Sequence, residues 1–174
     1  ARALLRKKRE AVVYLCATAA TSRATADHVC NVAVTLGVDK ADAANRTVVA
    51  HFLNSEQMAL ALDNDAQWLA RKRGVSLVVV DSAHAVCKDL PRHERNAALR
   101  RILAAAKELA RALNVAVVLV NEISHDFSDG ARQGAYRPAM EQLYAFCQRT
   151  FRVAKHEQGR RSVALMGSSP SEEM

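Results

Sequence analysis

Val75–Asp81 (VSLVVVD) is the stretch on which the reading of this chain turns. Leu77, Val78, Val79 and Val80 are four aliphatic residues in a row, without the polar alternation of a strand that has one wet face. Such a run belongs to a strand buried on both sides, as in a parallel sheet covered by helices. Gly74 bounds the run at one end and Asp81-Ser82 closes it at the other. Ala11–Cys16 (AVVYLC), Thr47–Phe52 (TVVAHF) and Val115–Asn121 (VAVVLVN) have the same character and read as further strands.

Helical stretches lie between them. Residues 22–36 place Val29, Val32, Ala33 and Leu36 on one face ahead of Gly37, a stop signal. Asn54, with Gln57 reaching back, opens a helix that runs to Arg73 and ends at Gly74, with Trp68 expected in the core. Glu94–Leu113 carries Leu99, Ile102, Leu103, Ala106, Leu109, Ala110 and Leu113 as a single stripe. Residues 122–140, with Gly130, Gly134 and Pro138, read as a long loop, and loops of that length are functional or disordered. Arg149–Lys155 and Ser162–Met166, on either side of Glu157-Gln158-Gly159, read as a hairpin. The expectation is an α/β fold: one domain over residues 1–174, with a mostly parallel sheet flanked by helices and a C-terminal antiparallel hairpin at its edge.

Composition agrees. The 174 residues are 50% hydrophobic and only 5% aromatic, so the core must be built from Ala, Val and Leu. A net charge of +7 favours a polyanion partner, nucleic acid or an anionic membrane surface, unless it only keeps the protein soluble. Cys16, Cys30, Cys87 and Cys147 show neither CxxC nor zinc spacing and read as free thiols in a reducing compartment. No apolar run reaches the roughly 18 residues of a membrane span, and no secretory signal is visible. The chain starts at Ala1, as a fragment or processed product would. Arg6-Lys7-Lys8-Arg9 reads as a solvated helix end in preference to a targeting or nucleic-acid patch. No His is assigned a catalytic role.

In open α/β sheets, ligands bind beyond the carboxyl ends of the strands. Three of these ends are polar: Asp81-Ser82, Asn121-Glu122, and Cys16-Ala17-Thr18. Asp81 could hold Mg²⁺ through water beside the phosphates of a nucleotide, or merely cap the turn that follows. The residues leave both open.

Taken in order, Leu77–Ser82 (LVVVDS), the Glu94–Leu113 helix, Val115–Glu122 (VAVVLVNE), Phe151–Lys155, Ser169-Pro170 and Glu172-Glu173 resemble the RecA-type strand-exchange family. The likeness is strongest to its eukaryotic recombinases and their paralogues, and it covers nearly all of residues 11–173. It implies a RecA-like core in which Asp81 is the magnesium-site carboxylate after the second nucleotide-binding strand, followed by Ser82. Asn121 resembles the residue that senses the γ-phosphate. Glu122 stands where the family usually has Gln, which puts the coupling of nucleotide state to DNA in doubt. Ser169 and Pro170 match a segment that meets the nucleotide of a neighbouring subunit. Lys88 and Arg92 match a first DNA loop, Arg95 beside them is a further candidate phosphate contact, and Phe127, Arg132 and Arg137 occupy the place of a second. Lys and Arg there suit phosphates, and an aromatic can stack on bases.

Two departures bear on catalysis. Thr18 stands where the family has the glutamate that orients the attacking water, and a hydroxyl cannot serve as that base. None of the six glycines precedes a lysine, so the Gly-x₄-Gly-Lys-Ser/Thr cradle is not in these residues. In the family that loop lies upstream of the first strand, which puts its place before Ala1. The resemblance therefore implies a nuclear accessory protein of homologous recombination that binds ATP and Mg²⁺ only with that loop in place. Hydrolysis would be weak or absent, and the partners would be related subunits and single-stranded DNA. An active DNA-dependent ATPase, or another RecA-like ATPase such as a helicase core, is the alternative.

Overall fold

The expected strands form almost residue for residue in the computed structural model, which describes residues 10–17, 19–121, 123–125, 136–138, 147–155 and 160–166. Strand β1 is Ala11–Cys16, β2 is Thr47–His51, β3 is Val75–Asp81 and β4 is Ala116–Val120. They make one four-stranded sheet in the order β2-β1-β3-β4, and every pairing is parallel. Parallel neighbours need long crossovers, and helices supply them. Helix α1 (Ala19–Thr35) and α2 (Lys40–Asn45) join β1 to β2. Between β2 and β3 lie α3 (Ser55–Leu60), a π-helical turn (Ala61–Asp65) and α4 (Ala66–Arg73). Helix α5 (Arg92–Leu113) leads to β4.

Both faces of β1 and β3 are packed, as a run without alternation requires. Strand β4, expected to be buried on both sides, instead lies at the edge of the sheet and leaves Val118 and Val120 exposed on one face. Val13, Leu15, Val78 and Val80 meet Met58, Leu62, Leu99, Ile102, Leu103 and Leu109 in the main core. Val12 and Leu77, on the opposite face, meet Cys30 and Ala33 of α1 and Ala43 of α2. Each fully buried Leu or Ile contributes about 1.5–3 kcal/mol, so the α5 stripe is the largest single contribution to holding this sheet. Along α5, Ala110 and Leu113 sit at the margin, half-buried.

Local signals set the helix ends. Asn54 accepts the Gln57 N–H at 2.9 Å, and the Gln57 side chain reaches back to the Leu53 N–H at 3.1 Å. Gly37 and Gly74 adopt positive φ after α1 and α4, where glycine escapes the Cβ clash of the left-handed region. Asn114 does the same after α5.

Several expectations change. Trp68 is 57% exposed and not in the core. Leu62 and Ala66, four residues apart, face inward, and Trp68 lies two residues beyond Ala66, well off that stripe. Leu36 is exposed as well, and Cys30 makes the contact on α1. Helix α2 had not been read from the sequence, although Asp39 caps it by accepting the Asp42 N–H at 3.0 Å. Within 122–140, Ile123–His125 (β5) and Tyr136–Pro138 (β6) form a short antiparallel pair, so that stretch is not wholly loop. The hairpin exists as β7 (Thr150–Lys155) with β8 (Arg161–Met166), a separate two-stranded sheet. The basic cluster at residues 6–9 and the hairpin turn at residues 157–159 lie outside the described residues.

Candidate functional site

Parallel pairing brings the polar strand ends to one level. In the ladder, Cys16 stands opposite Asp81 and Asp81 opposite Val120, so Asn121 follows one residue beyond on the strand next to Asp81. Backbone bonds lock the ends of β2, β1 and β3 together. The Ala17 N–H donates to the Asp81 carbonyl at 2.8 Å, and the Phe52 N–H to the Cys16 carbonyl at 2.9 Å. The acid and the amide thus share one end of the sheet, the end at which α/β folds place their ligands.

The turn after β3 is capped by Ser82, whose carbonyl and Oγ both accept the Ala85 N–H, at 3.1 and 3.2 Å. Ser82 is buried and starts the 3₁₀ turn Ala85–Cys87. The Asp81 carboxylate is bonded elsewhere: the Tyr14 hydroxyl donates to its Oδ2. Burial, this hydrogen bond and the carboxylate's negative charge push the Tyr14 phenol well above its ordinary ionisation range. Burial and the nearby Asp81 likewise raise the Cys16 thiol. Cys16 was visible as part of a polar strand end, whereas Tyr14 escaped sequence reasoning. The only signal was parity: positions 14 and 16 share a face, and its meaning depends on the pairing with β3.

Asn121 is half-buried, and its Oδ1 has no hydrogen-bond partner among the described residues. A buried polar atom left in this way points to a missing ligand or water. The half-buried Asp81 carboxylate is the oxygen group suited to Mg²⁺ held largely through water and phosphate. The Ser82 hydroxyl is engaged by the Ala85 N–H, and Asn121 lies one residue beyond the register of Asp81. No group of three or more His, Cys, Asp or Glu among the described residues could cage a metal directly. The residues therefore fit a hydrated ion brought with a nucleotide.

Beyond β3, Lys88 is exposed while Arg95 is half-buried. Arg95 Nη2 donates to the carbonyls of Lys88 at 2.7 Å and Leu90 at 3.1 Å, which pins the loop that precedes α5. Arg92 opens α5 and Arg137 lies in β6, opposite Ser124. Thr18, Glu122, Phe127, Arg132, Ser169 and Pro170 lie outside the described residues. Thus the structure sets Asp81, Ser82 and Asn121 at the same end of adjacent strands, with Lys88 on the loop that follows β3 and Arg95 in the first turns of α5.

A helix-flanked parallel sheet with acid and amide at adjacent strand ends defines a RecA-like α/β core. Over residues 7–173 the chain matches the model of the Rad51 family, and it belongs to that family. It is a RecA-like protein of DNA recombination and repair. Members are generally ATP-binding and generally work in oligomers or with DNA. Comparison with curated proteins gives no match. No helix among the described residues is long and apolar enough to cross a membrane.

Proposed function

We propose that this chain is the RecA-like core of a recombinase paralogue, an accessory protein of homologous recombination in the nucleus. It holds ATP with Mg²⁺ at the carboxyl end of the sheet, hydrolyses it weakly or not at all, and uses it to strengthen contact with related subunits. The observation that carries this reading is the placement of Asp81 and Asn121 at the same end of adjacent parallel strands, with the amide oxygen unsatisfied among the described residues.

Each residue has a role. Asp81 orients the water shell of the magnesium, Asn121 meets the terminal phosphate, and Ser82 fixes the turn on which the acid sits. Bound Mg²⁺ neutralises phosphate charge. Thr18, at the usual place of the glutamate, supplies no base for an attacking water. Lys88, Arg92 and the second-loop residues Phe127, Arg132 and Arg137 take single-stranded DNA, and Ser169-Pro170 meets the nucleotide of a neighbour. Arg95 acts on DNA through the loop it holds.

The test is binding of a labelled ATP analogue and ATP turnover by the full-length protein, with and without single-stranded DNA. Magnesium-dependent binding that Asp81→Ala abolishes, with turnover at background, supports the reading. Turnover that DNA stimulates and Asp81→Ala removes would make the protein an active ATPase. Absence of nucleotide binding would make it a pure interaction module.

A further inference from the structure

We propose that Tyr14 is the positioning residue of the magnesium site: its hydroxyl holds one oxygen of the Asp81 carboxylate and leaves the other to face the hydrated ion. The inference deepens the reading of Asp81 as the magnesium-site acid and rests on it.

Register supplies the geometry. Tyr14 is paired with Val79 and Cys16 with Asp81, and partners in a parallel ladder project to the same face. Tyr14 therefore stands diagonally across from Asp81, two residues short of its level, and the phenol spans that diagonal to donate to Oδ2. A half-buried phenol requires a partner, and a carboxylate is the strongest acceptor within reach. The nearer neighbour in register, Cys16, is buried and a weak donor. Among the described residues, the bond from Tyr14 is thus what fixes the rotation of the acid.

A carboxylate has two oxygens with about four acceptor sites, so one phenol leaves room for water of the metal shell. Groups that orient a metal-site carboxylate set its affinity: removing one typically lowers metal binding about 10–100-fold. The bond also ties the acid to β1, the strand that leads to Thr18. The magnesium site is consequently built by two strands, and β3 by itself does not fix it.

The experiment is a Mg²⁺ titration of fluorescent ATP-analogue binding to the full-length protein. In Tyr14→Phe, which keeps the ring and removes the hydroxyl, the half-saturating Mg²⁺ concentration should rise about 10-fold. Binding at saturating Mg²⁺ and binding without Mg²⁺ should match the parent, a split that general loosening of the fold would not produce. An unchanged Mg²⁺ midpoint in Tyr14→Phe, with Mg²⁺ dependence lost in Asp81→Asn, overturns the role of Tyr14 alone. Retention of Mg²⁺ dependence in Asp81→Asn overturns the underlying assignment of Asp81 as well. A second measurement covers failure of Tyr14→Phe to fold. With the other two tyrosines of these 174 residues, Tyr136 and Tyr144, and every tyrosine outside them changed to Phe, Tyr14 is the sole phenol, and its Raman doublet reports whether it donates. A strong-donor signature that persists with Mg²⁺–ATP and vanishes in Asp81→Asn supports the proposal. A phenol that does not donate overturns it.

Discussion

Asn121 leaves β4 one residue past the point where Val120 stands opposite Asp81 on β3. The two residues lie about forty positions apart in sequence and reach the same end of the sheet because a long helix returns the chain parallel to itself. The amide oxygen makes no hydrogen bond among the described residues, so its removal costs the fold little. Asn121→Ala should shift folding stability by no more than about 0.5 kcal/mol while weakening ATP-analogue binding. Urea unfolding beside a binding titration checks this. A large loss of stability would show that the amide has a structural partner.

Lys88 and Arg95 should separate by mechanism although both are cations beside the same loop. Arg95 spends Nη2 on two carbonyls, and Arg95→Ala should cost about 1–2 kcal/mol, seen as a lower unfolding midpoint. Lys88 is exposed, and Lys88→Ala should leave that midpoint alone. Its effect should appear on single-stranded DNA, where each phosphate contact contributes about 0.7 to the salt slope. An unchanged slope would remove Lys88 from the DNA contact.

Leu103 and Trp68 invert the usual ranking by size. Leu103 is 1% exposed under the sheet and Trp68 57% exposed. Leu103→Ala should cost about 2–5 kcal/mol through the cavity it leaves, and Trp68→Ala about 0.5 kcal/mol or less. Paired denaturation curves decide it. A costly Trp68→Ala would mean that the indole has a partner.

Alkali should destabilise the fold before the lysines titrate. Burial raises the Cys16 and Cys87 thiols above their ordinary value of 9.0. Above that value the unfolded chain loses protons that the folded chain keeps, so stability falls as pH rises. Below about pH 8 the thiols are protonated in both states and the effect is absent. Urea midpoints from pH 7.5 to 10 should decline, and less steeply in Cys87→Ala. A flat profile would count against the buried thiols as its source.

Much of this was legible in the sequence. Val75–Asp81 declared itself because a doubly buried strand needs aliphatic side chains on both faces, and Asn54 with Gln57 because a cap is a local bond. Trp68 and Leu36 misled because size and spacing say that a residue could pack, not which side of its helix meets the sheet. The site divided along the same line. Asp81 and Asn121 stood out as polar ends of apolar runs, whereas Tyr14 looked like one more strand aromatic. Its importance comes from β1 lying next to β3, a fact of register that no local window contains. The charge of Arg95 is visible in sequence, whereas the Lys88 and Leu90 carbonyls that its Nη2 binds are not.

Among the described strands β1 comes first in sequence but sits inside the sheet, between β2 and β3. Both of its partners are made after it: one begins at Thr47 and the other at Val75. Contacts so distant in sequence form slowly, because the intervening chain must first be closed into loops. Until then Ala11–Cys16 is an apolar hexapeptide without the two neighbours that flank it in the fold, a segment in need of shelter.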